Sequence, residues 1–139
     1  MRLNGNPPVM VVDDDSAMRA YLERFLAERG CQAIALSNAA DAVQRYQTER
    51  PAVVILDMVM PGAMDGLAAL AAFKKIDGAV PIIVLSGEGR TATAAQAMKL
   101  GASDFVSKPF DAADLEVPLT NALRQHQLSC DVPARRDQL

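Results

Sequence analysis

Apolar residues follow two alternating rhythms along this chain. Residues 9–12, 31–36, 52–56 and 81–85 are short, nearly unbroken apolar runs, and Asp104 to Ser107 is a short fifth segment of mixed character. They are too short for helices and read as strands; the unbroken ones read as strands buried on both faces. Between them, apolar residues recur every three or four positions, as on one face of a helix. Met18, Tyr21, Leu22, Phe25 and Leu26 form the first such face, with Ser16 as its expected N-cap and Gly30 as its stop. Asn38 starts a second helix bearing Ala39, Ala42, Val43 and Tyr46. Leu67, Leu70, Ala71, Phe73 and Ile76 make a third, stopped by Gly78. The fourth, over 91–100, rests mainly on alanine and Met98, which predicts light anchorage. Asp111 caps the last helix, with Asp114 three residues on, and Leu115, Leu119, Ala122 and Leu123 form its apolar face. Pro118 inside that helix should bend it.

Strands therefore start near 9, 31, 53, 81 and 104, with a helical pattern in each gap. That is the βα spacing of an α/β fold with a parallel sheet and right-handed crossovers. Gln32 in the second strand suits an edge. Residues 1–8 read as a flexible lead-in. From about 127 to 139 the chain is polar and reads as a linker or tail, with Pro133 opposing a long regular helix.

Composition narrows the function. The 139 residues suffice for one domain with a real core. A net charge of −3 and a pI near 5.1 leave no electrostatic footprint for nucleic acid. Cys31 and Cys130 stand far apart in no ligand-like spacing, as expected of reduced thiols in a cytoplasmic protein. His126 is the only histidine, which disfavours histidine-based metal or nucleophile sites. No run reaches membrane-spanning length, and no signal-peptide pattern precedes Val9.

The chemistry gathers at the strand ends. Asp13 and Asp14 follow the first strand, Asp57 the third, Ser86 the fourth and Lys108 the fifth. In open α/β sheets these ends line the ligand crevice. Taken singly, Asp57 fits a loop cap as well as a site, and the Asp run, Ser86 and Lys108 fit better as a solvated helix start, a turn residue and a surface charge; joint placement at four strand ends is much harder to obtain by accident. Converging carboxylates repel, and a hard divalent cation such as Mg²⁺ relieves that repulsion. A carboxylate nucleophile, a metal, a lysine and a hydroxyl donor are the parts for phosphoryl transfer.

The stretches VMVVDDDSAMR, VVILDMVMPGAMDG, PIIVLSGEG and GASDFVSKPF, in this order, resemble the receiver domain of bacterial two-component response regulators. The resemblance covers 9 to about 126. It implies a flavodoxin-like three-layer sandwich with five helices and a five-stranded parallel sheet of order 2-1-3-4-5. It implies that Asp57 accepts a phosphoryl group from a sensor histidine kinase. Asp14, Asp57 and the backbone carbonyl of Val59 would ligate Mg²⁺, with Asp13 acting mostly through water. Lys108 would hold the phosphoryl group, Ser86 would move to bond it, and Phe105 would swing inward behind Ser86. A cis peptide between Lys108 and Pro109 is also implied, and Asp15 has no implied role. The chain departs from the family's usual pattern by one extra residue in PGAMDG and by Phe105, which lacks a tyrosine hydroxyl.

The function implied is a phosphorylation-activated switch that catalyses only its own phosphorylation and dephosphorylation. A haloacid-dehalogenase-like phosphohydrolase also uses a strand-end aspartate, but it needs a second aspartate where Val59 stands. A nucleotide-binding domain would carry GxGxxG or GxxxxGK[ST], and neither occurs. An unphosphorylated adaptor would not need Asp14, Asp57, Ser86 and Lys108 together. No DNA-binding helix pair or catalytic domain follows 126, so the expected output is a partner or a domain elsewhere, with transcription regulation among the outcomes. Leu128, Val132 and Leu139 at helical intervals hint at the start of a linker helix. Arg90, Thr93, Gln96 and Lys99 on the fourth helix, and Asp114, Glu116 and Arg124 on the last, are expected to share the surface of helix 4, strand 5 and helix 5, where a symmetric dimer would form.

Overall fold

In a computed structural model, residues 7–58, 66–87 and 91–137 are described. The order is β1 (Pro8–Val12), α1 (Ser16–Glu28), β2 (Gln32–Leu36), α2 (Ala39–Glu49), β3 (Val53–Asp57), α3 (Gly66–Ile76), β4 (Ile82–Ser86), α4 (Thr91–Lys99), β5 (Asp104–Ser107) and α5 (Ala112–Asp137). The strands pair in parallel as β2-β1-β3-β4-β5, the order the resemblance implied. β2 is an edge strand, as Gln32 suggested, and Gln32 is exposed there.

The unbroken apolar runs have a direct cause. Every residue of β3 and β4 is buried, because helices cover both faces of the sheet. Met10, Val12, Val54, Leu56, Ile82 and Val84 pack with α2, α3 and α4 through Tyr46, Phe73 and Ala97. The alternate residues Val9, Val11, Val53, Ile55, Ile83 and Leu85 pack with α1 and α5 through Leu22, Phe25, Leu115 and Leu119. The rings of Tyr46 and Phe73 pack with centroids 5.4 Å apart and planes tilted by 43°, joining α2 to α3.

Caps fall close to their expected places. The Asn38 side chain accepts from the Asp41 amide at 2.8 Å. Asp111 and Asp114 each accept from the other's amide, at 3.0 and 3.1 Å. At α1 the cap is Asp15, not Ser16: the Asp15 carboxylate accepts from the Ala17 amide at 3.0 Å. A carboxylate also complements the positive helix end better than a hydroxyl.

Three further expectations are corrected. Met98 is exposed, and α4 is held by the buried Ala94 and Ala97. α5 carries Pro118 on its buried side and continues to Asp137, so its backbone stays helical past Pro133 where a polar tail was expected. β1 begins at Pro8, within the expected lead-in, and Pro7 already accepts a bond from the Gln32 amide at 3.0 Å.

Candidate functional site

Because all strands run the same way, the ends of β1, β3, β4 and β5 lie along one edge of the sheet. Register sets their alignment. Val12 lies beside Leu56, Asp57 beside Leu85, and Ser86 beside Ser107, so the residues that follow face one crevice. Asp13 is fully buried, Asp57 and Ser86 nearly so, and Asp14 is exposed at the rim.

One carboxylate oxygen from each of Asp13, Asp14 and Asp57 lies within 4.8 Å of the others. Lys108 reaches in from beyond β5, its Nζ 3.4 Å from Asp13 Oδ2 and 3.4 Å from Asp57 Oδ2. Its amide also donates to the Ser86 carbonyl at 2.7 Å, which ties the lysine to the end of β4. The Lys108–Pro109 peptide is cis, as the resemblance implied.

The carboxylates outnumber the lysine, and like charges this close repel one another. A small divalent cation would offset this. The donors are all hard oxygen and gather within 4.8 Å of one another, which suits Mg²⁺ with waters completing its shell. The acid set therefore fits Mg²⁺.

The crevice brings together Asp13, Asp14, Asp57, Ser86 and Lys108. Phe105 does not join them: its side chain is 42% exposed and faces outward, over a cavity it lines with Val106, Ser107, Pro109 and Asp114. Val59 lies outside the described residues, as do Arg90 and the extra residue of the 61–66 loop. The Thr93 side chain is likewise undescribed. Glu116 and Arg124 were expected on the surface of α4, β5 and α5. They stand on the opposite flank of α5, lining a cavity of about 290 Å³ with Arg29, and Glu116 pairs with Arg29 at 2.9 Å.

Two residues at the site stand inside the quoted stretches without an expected role there. Arg19 donates from Nη1 to the Asp13 carbonyl at 2.8 Å. The available signal was a cation in the first turn of a helix, where the macrodipole disfavours it. Gly66 approaches the backbone of Met58, the residue after Asp57.

Comparison with known proteins agrees with this geometry. The family model described as response regulator receiver domain matches residues 9–120. The chain belongs to the response regulator receiver domain family. It is 37% identical over 105 residues to the chemotaxis protein CheY of Bacillus subtilis, covering 75% of this chain and 87% of that protein. It is 35% identical over 119 residues to the DNA-binding transcriptional regulator NtrC of Escherichia coli, covering 86% of this chain but only 25% of that relative. Among solved structures, the receiver domain of NtrX from Brucella abortus matches with a TM-score of 0.80 and 33% identity, over 84% of this chain and 98% of that one. As a receiver domain, the protein is a signalling module. Among the described residues, no helix is long and apolar enough to cross a membrane.

Proposed function

We propose that this receiver domain is a phosphorylation-activated switch whose acceptor is Asp57, phosphorylated by a sensor histidine kinase. The observation that carries the reading is the buried Asp57 carboxylate at the end of β3, beside both Lys108 and the acids of β1. A carboxylate oxygen of Asp57 attacks the phosphorus of the phosphohistidine. The new O–P bond gives an acyl phosphate, and the P–N bond to the donor breaks. Lys108 stabilises charge on the phosphoryl oxygens, and Ser86 donates its hydroxyl to one of them. Asp14, Asp57 and the Val59 carbonyl would hold Mg²⁺, with Asp13 acting through water. When bound, the ion neutralises the acids and the transferring phosphoryl group. Beyond its own phosphorylation and dephosphorylation the domain has no substrate to turn over.

The added charge, about −1.5 to −2, draws Ser86 toward the phosphoryl group and frees space behind it for the outward Phe105. The change then reaches α4, β5 and α5. Glu116 and Arg124 stand elsewhere; of the charges expected on that surface, Lys99 on α4 and Asp114 beside β5 remain among the described residues. That surface would serve a homodimer or an output partner. The receiver unit spans 9–126, with 127–139 a linker, and the backbone of α5 stays helical into it as far as Asp137. A cytoplasmic site of action follows from the histidine kinase partner.

The test uses acetyl phosphate with Mg²⁺. Intact-protein mass spectrometry should show one added phosphoryl group, stable in acid and lost in base. Asp57→Asn keeps the shape, removes the nucleophile and should stay unlabelled; labelling at the parental rate would refute the assignment.

A further inference from the structure

We propose that Arg19 is a positioning residue for the metal site, clamping the peptide between Asp13 and Asp14 so that Asp14 is presented to Mg²⁺. The inference rests on the reading of the acid cluster as an Mg²⁺ site. Arg19 lies in the first turn of α1, the positive end of the helix dipole, where a cation is locally unfavourable. Its guanidinium reaches back to the Asp13 carbonyl at 2.8 Å, although three carboxylates are close by in sequence.

That carbonyl belongs to the peptide linking the two acids. The other polar groups of Asp13 are already engaged. Its amide donates to the Leu36 carbonyl at 3.1 Å, Oδ1 accepts from the Asp15 amide at 2.9 Å, and Oδ2 lies 3.4 Å from Lys108 Nζ. Asp13 is thus held at every polar atom. Asp14 is exposed and, among the described residues, no hydrogen bond holds its carboxylate. The aim of Asp14 depends on the backbone that carries it, and Arg19 is the side chain that grips that peptide. Groups that orient metal ligands from behind commonly change affinity 10–100-fold when removed.

The sign of the effect separates the clamp from a mere nearby charge. A cation close to a cation site repels the metal, so neutralising Arg19 would tighten Mg²⁺ binding if charge were all that mattered. The clamp requires the opposite. Calorimetric Mg²⁺ titration of the unphosphorylated protein should show Arg19→Gln binding roughly 10-fold more weakly than the parent. Amide exchange at Asp14 and Asp15 should be faster in the metal-free variant. Arg19→Lys keeps the charge and loses the planar fork, and should fall between the two. Equal or tighter binding by Arg19→Gln overturns the proposal. So does parental affinity in Arg19→Lys, even if Arg19→Gln does not fold. A parent that binds no Mg²⁺ removes both this inference and the metal reading beneath it; a binding parent with unchanged variants removes this inference alone.

Discussion

Gly66 lies so close to Met58 that a Cβ on the glycine would fall 2.5 Å from the Met58 Cα and 2.8 Å from its carbonyl oxygen. The obstacle is backbone, so no side-chain rotation can relieve it. Met58 directly follows Asp57 and continues the β3–β4 pairing, its amide donating to the Leu85 carbonyl at 3.0 Å. The first residue of α3 is therefore packed onto the peptide beside the proposed acceptor.

Gly66→Ala should push that peptide away. We expect a loss of about 1–3 kcal/mol, the usual cost of overpacking a tight site, together with slower labelling by acetyl phosphate. Denaturant unfolding and labelling kinetics check the two parts. An unchanged unfolding midpoint would show that the helix can retreat without cost.

Lys108 stands between two buried carboxylates, 3.4 Å from each. Lys108→Met should leave their repulsion uncompensated and destabilise the metal-free protein by about 1–3 kcal/mol. Mg²⁺ binds only the folded site, so adding it should recover part of the loss and give the variant a larger thermal shift than the parent. A variant as stable as the parent without Mg²⁺ would show that Lys108 does not offset repulsion between these acids.

His126, on α5, is held below its ordinary value of 6.5 by burial, with the nearby Asp77 carboxylate opposing that shift. The charged form is thus favoured in the unfolded chain. Between the folded value and 6.5 the unfolded state binds more protons, so its contribution to stability is complete above 6.5 and declines as pH falls below it. His126→Gln should flatten this part of the stability curve. Melting temperatures from about pH 8 to about pH 5 on both proteins measure it, and parallel curves would place the titration elsewhere.

The sequence by itself determined the order of elements and the identity of the strand-end residues. Its central strands are buried on both faces, so Val53 to Leu56 and Ile82 to Leu85 stand out as unbroken apolar runs, and the acid or serine just after such a run is conspicuous. Caps were legible for a similar reason: Asn38 and the Asp111–Asp114 pair bond within three residues of themselves. Other features depended on contacts between distant segments. The flank of α5 that carries Glu116 and Arg124 follows from how Leu115, Leu119 and Ala122 seat that helix on the sheet beside α1, and periodicity alone does not distinguish one flank from the other. Met98 lies at a helical spacing suited to a core, yet the smaller Ala94 and Ala97 bring α4 close and leave it outside. The grip of Arg19 on Asp13 and the approach of Gly66 to Met58 join a helix to a strand end, and only the folded chain brings those atoms within reach.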